Sequence, residues 1–166
     1  MTTAEFRIST SRRTQFVPIT TKVADIIIAS NGWRDGVLTI FVPHTTDGIT
    51  INENADPDVA KDMECFSDQL VPQNSSFRHS EGNSDAHIKA SFYGSSVQVI
   101  VRNGKMRLGT WQGIYFCEFD GPRERNVYLA FTGRITVMNL LYVTALQQTS
   151  ARPEPELGDP VCFRFA

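Results

Sequence analysis

The segment SVQVIVRNGKMRL, residues 96–108, decides the fold class. Its hydrophobic period is two, so successive side chains fall on opposite faces of a strand. Asn103-Gly104 interrupts it with the dipeptide that suits a type I′ turn, and KMRL leads the chain back. That is an antiparallel hairpin. Beyond it, GTWQGIYFCEFD (109–120) reads as a long strand with two glycines. DGPRERN (120–126) reads as a turn, and VYLAFTGRITV (127–137) as a further strand. Composition agrees. The chain has 13 Val, 12 Ile, 11 Phe and 15 Thr against 8 Leu, and β-branched and aromatic residues fit a pleated, half-buried surface.

Toward the N-terminus, EFRIS (5–9) and TQFVPI (14–19) predict a second hairpin turning at SRR, with Pro18 on an edge strand. In TTKVADIIIASNG (20–32), Thr20 or Thr21 can cap a helix that stops at Asn31-Gly32. GVLTIFVP (36–43) is a buried strand running into His44, and GITINEN (48–54) alternates as the next strand. The second helix has Asp56 as its N-cap and Pro57 at the first helical position. Val59, Met63, Phe66 and Leu70 then form one apolar stripe, read as core, and Pro72 ends the helix. Ser84 caps a third helix, SDAHIKASFY, stopped by Gly94. The expected fold is α+β, mostly antiparallel sheet with two or three short helices. Its 166 residues predict a single domain over 1–148 and a Pro-rich extension over 149–166. MNLLYVTALQQ (138–148) fits a helix or a strand.

A net charge of −2 and a pI of 5.9 offer no basic stripe for nucleic acid. No apolar run is long enough to span a membrane, and the N-terminus lacks the apolar core of a signal peptide. The three cysteines, Cys65, Cys117 and Cys162, are far apart and form no CxxC. They read as reduced thiols of a cytoplasmic protein, with Cys117 a small core hydrophobe. Walker, GxGxxG, GxSxG and HExxH motifs are absent.

Chemistry therefore rests on a few residues. The three histidines, His44, His79 and His87, lie at a strand end, in a loop and one turn into a helix. Three imidazoles with an open fourth position are the ligand set of a catalytic zinc. Harder ions want carboxylates, and Glu53, Asp56, Glu81, Asp85 and Glu118 are available. The same histidines also fit surface or capping roles. Gly82-Asn83-Ser84 opens a helix whose free N–H groups favour an anion, and Arg123 and Arg125 can fork onto phosphate. Equally, Asn83 and Ser84 can be a plain cap and the arginines a solvated turn. Glu118 falls on the strand face opposite Cys117 and Phe119, either in solvent or as a buried acid.

HTTDGITINENADPDVAKDME (44–64), HSEGNSDAHIKASFYGSS (79–96) and RLGTWQGIYFCEFDG (107–121) resemble the YjbQ-like family, over roughly residues 5–134. Some of its members carry the name secondary thiamine-phosphate synthase. The resemblance implies a homotrimer with its site near a subunit interface. It also implies a divalent metal ion, zinc first with magnesium or manganese as alternatives, on His44, His79 and His87. Asn52, Glu53, Asp56, Trp111, Gln112, Glu118 and Arg123 fall on motif positions that would line the pocket. The implied activity is weak condensation of a pyrimidine diphosphate with a thiazole phosphate. Asp47-Gly48 departs from the small or apolar residues often found after H-T-[ST].

Two functions follow as expectations. One is a metal-dependent enzyme acting on a phosphorylated small molecule. Glu118, Glu81 and Asp85 are its acid–base candidates, and Asn83, Ser84, Arg123 and Arg125 its anion holders. The other is a non-catalytic trimer that binds a metabolite or metal.

Overall fold

A computed structural model describes residues 1–30, 32–73 and 76–135, with the side chains of residues 134 and 135 excepted. The segments 138–148 and 149–166, and with them Cys162, lie outside the described residues. Among the described residues, eight strands and three helices follow in the order β1 (Thr2–Ser9), β2 (Gln15–Pro18), α1 (Thr20–Ala29), β3 (Trp33–Phe41), β4 (Asp47–Glu53), α2 (Pro57–Leu70), α3 (Ser84–Tyr93), β5 (Ser96–Arg102), β6 (Lys105–Met106), β7 (Gln112–Glu118) and β8 (Glu124–Ile135). Every strand pairing among the described residues is antiparallel. The fold is thus α+β, as the alternation in 96–108 required.

The strands form two sheets, ordered β1-β8-β3-β5-β6 and β2-β7-β4. The β5–β6 hairpin turns at Asn103 and Gly104, with φ of 52° and 73°, both in the left-handed region that a type I′ turn demands. The expected N-terminal hairpin does not form. β1 joins β8 in the larger sheet and β2 joins β7 in the smaller one. Pro18 does lie on an edge strand, where its missing N–H costs no ladder bond.

Strand β7 lies between two cores. Ile114 and Phe116 point toward the five-stranded sheet and α1, among Val23, Ile27, Leu38, Ile40, Val99 and Leu129. Tyr115 and Cys117, with Phe119 just beyond the strand, point the other way, to Ala86 and Ala90 of α3 and Met63 of α2. Gly113–Glu118 is consequently buried without a break.

Helix α2 begins as its sequence requires, with the Asp56 carboxylate accepting from Asp58 N and Pro57 following it. Its buried face is different from the expected stripe. Ala60, Met63 and Ser67 face inward, while Phe66 and Leu70 are 63% and 58% exposed. The Ser67 hydroxyl bonds the Met63 carbonyl and the Tyr93 hydroxyl, so small and polar contacts hold this helix. Helix α1 has no side-chain cap. Thr20 instead accepts from Ile114 N, tying the helix to β7. In α3, Asn83 and not Ser84 is the N-cap residue, and it makes no capping bond. No helix among the described residues is long and apolar enough to cross a membrane.

Candidate functional site

The register of β4 and β7 sets Asp47 directly opposite Glu118, both facing the five-stranded sheet. Two carboxylates so placed repel each other unless a cation intervenes. Arg125 of β8 does so. Its Nε and Nη2 both reach the Glu118 carboxylate, the former at 2.8 Å, and Nη2 also donates to Thr46 Oγ1 at 2.8 Å. Glu118 further accepts from Phe119 N, Asp120 N and Thr10 Oγ1. Every lone pair of this fully buried carboxylate is therefore engaged. Its burial resolves the choice the sequence left open.

Asp47 receives much less. It is 1% exposed, neither oxygen accepts a hydrogen bond, and Arg125 Nε stands at 3.5 Å. Burial pushes its pKa up, Arg125 restrains the rise and Glu118 adds to it, giving about 7. His44 lies 4.0 Å from Asp47 Oδ2, and its Nε2 accepts from Asn126 N at 3.0 Å. That bond assigns the imidazole proton to Nδ1. Burial and the nearby Arg125 depress its pKa, against a smaller opposing pull from Glu118.

A second polar cluster fixes the start of α3. The Asn83 amide donates to Asp120 Oδ2, and Arg13 bridges Asp120 to Asp85 at 3.2 and 2.9 Å. Lys89, one turn along, holds Asp85 and Asp68. Arg123 clamps Asp120 through its side chain and carbonyl. Burial alone would raise the Asp120 pKa. The Asn83 amide and the Arg123 and Arg13 guanidiniums more than offset that and hold it below the usual carboxylate value.

The histidine expectation divides. His79 and His87 do meet, with ring centroids 5.2 Å apart and planes at 74°. Gly82 makes this possible. Its N–H closes a turn onto the His79 carbonyl at φ +72°, which glycine adopts without strain. The two rings line a cleft of about 430 Å³ with Phe77, Ser84 and Ile88. His44 does not join them. Among the described residues, no three His, Cys, Asp or Glu side chains are grouped to share a metal ion. The reason is local: His44 is drawn toward β8 by the Asn126 N–H.

The other candidates fall into separate places. Arg125 is buried on Glu118, so it is no solvated turn residue; Arg123 is a half-exposed turn residue whose guanidinium is paired with Asp120, so neither is a free anion clamp. Asp85 is 1% exposed within its ion pairs. Glu81 is exposed, 3.8 Å from His79 Nε2. Asn52 and Glu53 end β4, while Gln112 starts β7 just after the exposed Trp111. Those ends of the strand pair lie about 20 Å from Glu118 at 3.3 Å per residue. Asp56 is spent on its cap. Cys117 is fully buried, and burial raises its thiol pKa well above the ordinary value, which suits the packing role.

Sequence reasoning missed Thr10, Arg13, Thr46, Lys89 and Asp120 as members of these clusters. Only the Asp85–Lys89 spacing, one helical turn, carried a signal.

Comparison with known proteins bears on this arrangement. A family model described as UPF0047 protein YjbQ-like matches residues 4–134. The chain is 51% identical over 129 residues to the UPF0047 protein MJ1081 of Methanocaldococcus jannaschii, spanning 78% of this chain and 93% of that protein. It is 51% identical over 128 residues to YugU of Bacillus subtilis, spanning 76% and 96%. A YjbQ/UPF0047 crystal structure from Clostridium acetobutylicum superposes with a TM-score of 0.74 at 52% identity, covering 78% of this chain and 99% of that one. A protein of Aeropyrum pernix superposes with a TM-score of 0.76 at 37% identity, covering 81% and 100%. By the span and level of these matches, the chain belongs to the YjbQ-like UPF0047 family.

Proposed function

We propose that this protein is a divalent-metal-dependent enzyme that acts on a phosphorylated small molecule at the His79–His87 cleft. One observation carries the reading: two imidazoles and an uncapped helix start share one cleft. Two imidazoles bound through nitrogen at about 2.0 Å to one tetrahedral ion have ring centres about 5 Å apart. The 5.2 Å separation of His79 and His87 fits half of such a site. The remaining positions are for solvent, substrate or a second copy of the chain. Glu81, beside His79, is placed to orient its imidazole. A bound ion would neutralise phosphoryl charge and polarise a phosphoryl oxygen.

The chain's own contribution is anion binding. Helix α3 starts at Ser84 in this cleft, and no side chain caps its first N–H groups. Those donors and the helix dipole favour a phosphate there. The finer reading is the one the family resemblance suggests, weak thiamine-phosphate synthase activity. In that reaction pyrophosphate leaves, and the α3 start would face its charge. Glu81 is the carboxylate left to handle a proton, because Glu118 and Asp85 are held in ion pairs.

The proposed assembly is the homotrimer. In its support, Val37, Phe41, Ile100 and Tyr128 stay exposed on the outer face of the five-stranded sheet, and such apolar patches mark association surfaces. A second reading, binding without turnover, is favoured by the same engagement of Glu118 and Asp85.

Elemental analysis after metal-replete expression tests the metal. Wild type is expected to carry it stoichiometrically and His87→Ala to lose it, while His44→Gln keeps it. Metal-free wild type rejects the reading. Thiamine phosphate formation tests the catalysis, and equal product from wild type and His87→Ala supports binding alone.

A further inference from the structure

Most described arginines and lysines sit against a carboxylate, Arg13, Lys89, Arg123 and Arg125 among them. Six cations have no carboxylate partner among the described residues; Lys22 and Arg78 lie apart, and Arg34, Arg102, Lys105 and Arg107 lie on β3 or around the β5–β6 hairpin. On a chain of net charge −2 these four cations outnumber Asp35, the carboxylate of β3 that accepts from Asn103 N, and leave a local excess of positive charge. It borders a cleft of about 550 Å³ between α1 and the hairpin. Trp33 and Ile27, 4% and 3% exposed, form its floor together with Met106. Ile28, 68% exposed, forms an apolar wall left to water. Arg34 and Lys105 stand on its rim.

We propose that this cleft is a second ligand site, for an amphipathic organic anion. An apolar ring or short chain would lie on Trp33, Ile27 and Met106, with its carboxylate or phosphate between Arg34 and Lys105. The volume falls within the roughly 300–1,000 Å³ of small-molecule sites, which are mainly apolar with a few charged groups. The cleft shares no lining residue with the one at His79 and His87, so the two sites stand or fall separately. Burial of the apolar body supplies affinity, and paired cations select the charge.

The probe is 8-anilinonaphthalene-1-sulfonate, an aromatic anion. The chain has two tryptophans, Trp33 and Trp111, so Trp111→Phe leaves Trp33 as the sole reporter. In that background the dye is expected to quench Trp33 emission saturably, at one site per chain. Charge reversal with Arg34→Glu and Lys105→Glu together, or Ile28→Glu alone, should each weaken binding about tenfold, equivalent to about 1.4 kcal/mol. All three positions are exposed, so circular dichroism should show an unchanged fold. Uncharged N-phenyl-1-naphthylamine should bind about tenfold more weakly. No saturable quench overturns the proposal. So does quench that survives these substitutions, which puts the dye on other exposed apolar side chains such as Phe92. Equal binding of the neutral dye overturns the choice of an anion.

Discussion

Replacing Asp47 by Asn tests the electrostatics of the buried cluster most directly. The two side chains have nearly the same shape, and only the ionisable group is lost. In the folded chain Asp47 has a pKa of about 7, and its starting value is 3.8. A raised carboxyl pKa means that the folded state binds the proton more tightly. Below the unfolded pKa both states hold the proton and nothing is lost. Between pH about 4 and about 7 the unfolded chain has released its proton while the folded chain keeps it, so stability falls as pH rises. Above about 7 the loss is complete. A shift of about three units at 1.36 kcal/mol each sets a ceiling of about 4 kcal/mol. Movement of the carboxylate toward Arg125, 3.5 Å away, relieves part of this, so about 3 kcal/mol is expected.

The assay is urea unfolding of wild type and Asp47→Asn, each stripped with chelator, at pH 4 and pH 8 and at one protein concentration. Other titrating groups, such as Asp120, are common to both proteins and cancel in the difference. The pH 4 arm measures any packing cost of the amide. At pH 8 the variant should be the more stable by about 3 kcal/mol, a midpoint shift of about 1–2 M at ordinary urea slopes. A wild type more stable than the variant at pH 8 would refute the reasoning. Asp47 would then be an ionised partner of Arg125, and the orphaned oxygens would have found donors.

Three further outcomes follow from the same packing. Glu118→Gln leaves Arg125 buried without its main counter-charge and should cost about 3–5 kcal/mol, lowering the melting temperature by about 10 °C. Adding Arg125→Met should recover part of that loss, since no charge is then stranded, and calorimetry of both variants checks it. Gly82→Ala places a Cβ at φ +72° and should cost about 1–2 kcal/mol while displacing His79, which metal analysis reads as weaker binding. By urea unfolding, Phe66→Ser should change the stability by no more than about 0.5 kcal/mol, whereas Phe116→Ala should cost about 4 kcal/mol. Equal losses would mean that α2 faces the core by its expected stripe.

What the sequence revealed and withheld follows from the range of each interaction. The Asn103-Gly104 hairpin was legible because turn chemistry and strand period both act within a dozen residues. The partners of β1 and β2 were not. Alternation identifies a strand, but its neighbour is chosen by contacts more than a hundred residues away, as in Thr2↔Phe131. Helix α2 shows a subtler failure. Val59, Met63, Phe66 and Leu70 give the larger apolar stripe, yet the inward face turns toward Ala60 and Ser67. Small side chains there make room for Phe16, Tyr115 and Tyr93 of the second core. Residue size on the facing elements, which one helix's own pattern does not contain, decided the rotation.

The site divides along the same line. His79 and His87 are eight residues apart across a glycine turn and a helix start, so their meeting is local and the motif announces it. His44 shares the motif set but answers to β8, through a backbone N–H that no pattern in its own segment encodes. The resemblance marks Asp47, after His44-Thr45-Thr46, only as a departure from the motif, and nothing in its own segment says what it faces. Only the β4–β7 register sets it opposite Glu118, and only the pairing of β8 with β1 and β3 sets Arg125 between them. One cation shared by two buried carboxylates leaves one of them short. Because Glu118 takes both Arg125 donors and two backbone N–H groups, the shortfall lands on Asp47. Asp47 is therefore the position that carries the electrostatic strain. A small apolar residue there, Asp47→Ala, should remove that strain and leave the Glu118–Arg125 pair intact, so its stability at pH 8 should match or exceed that of wild type.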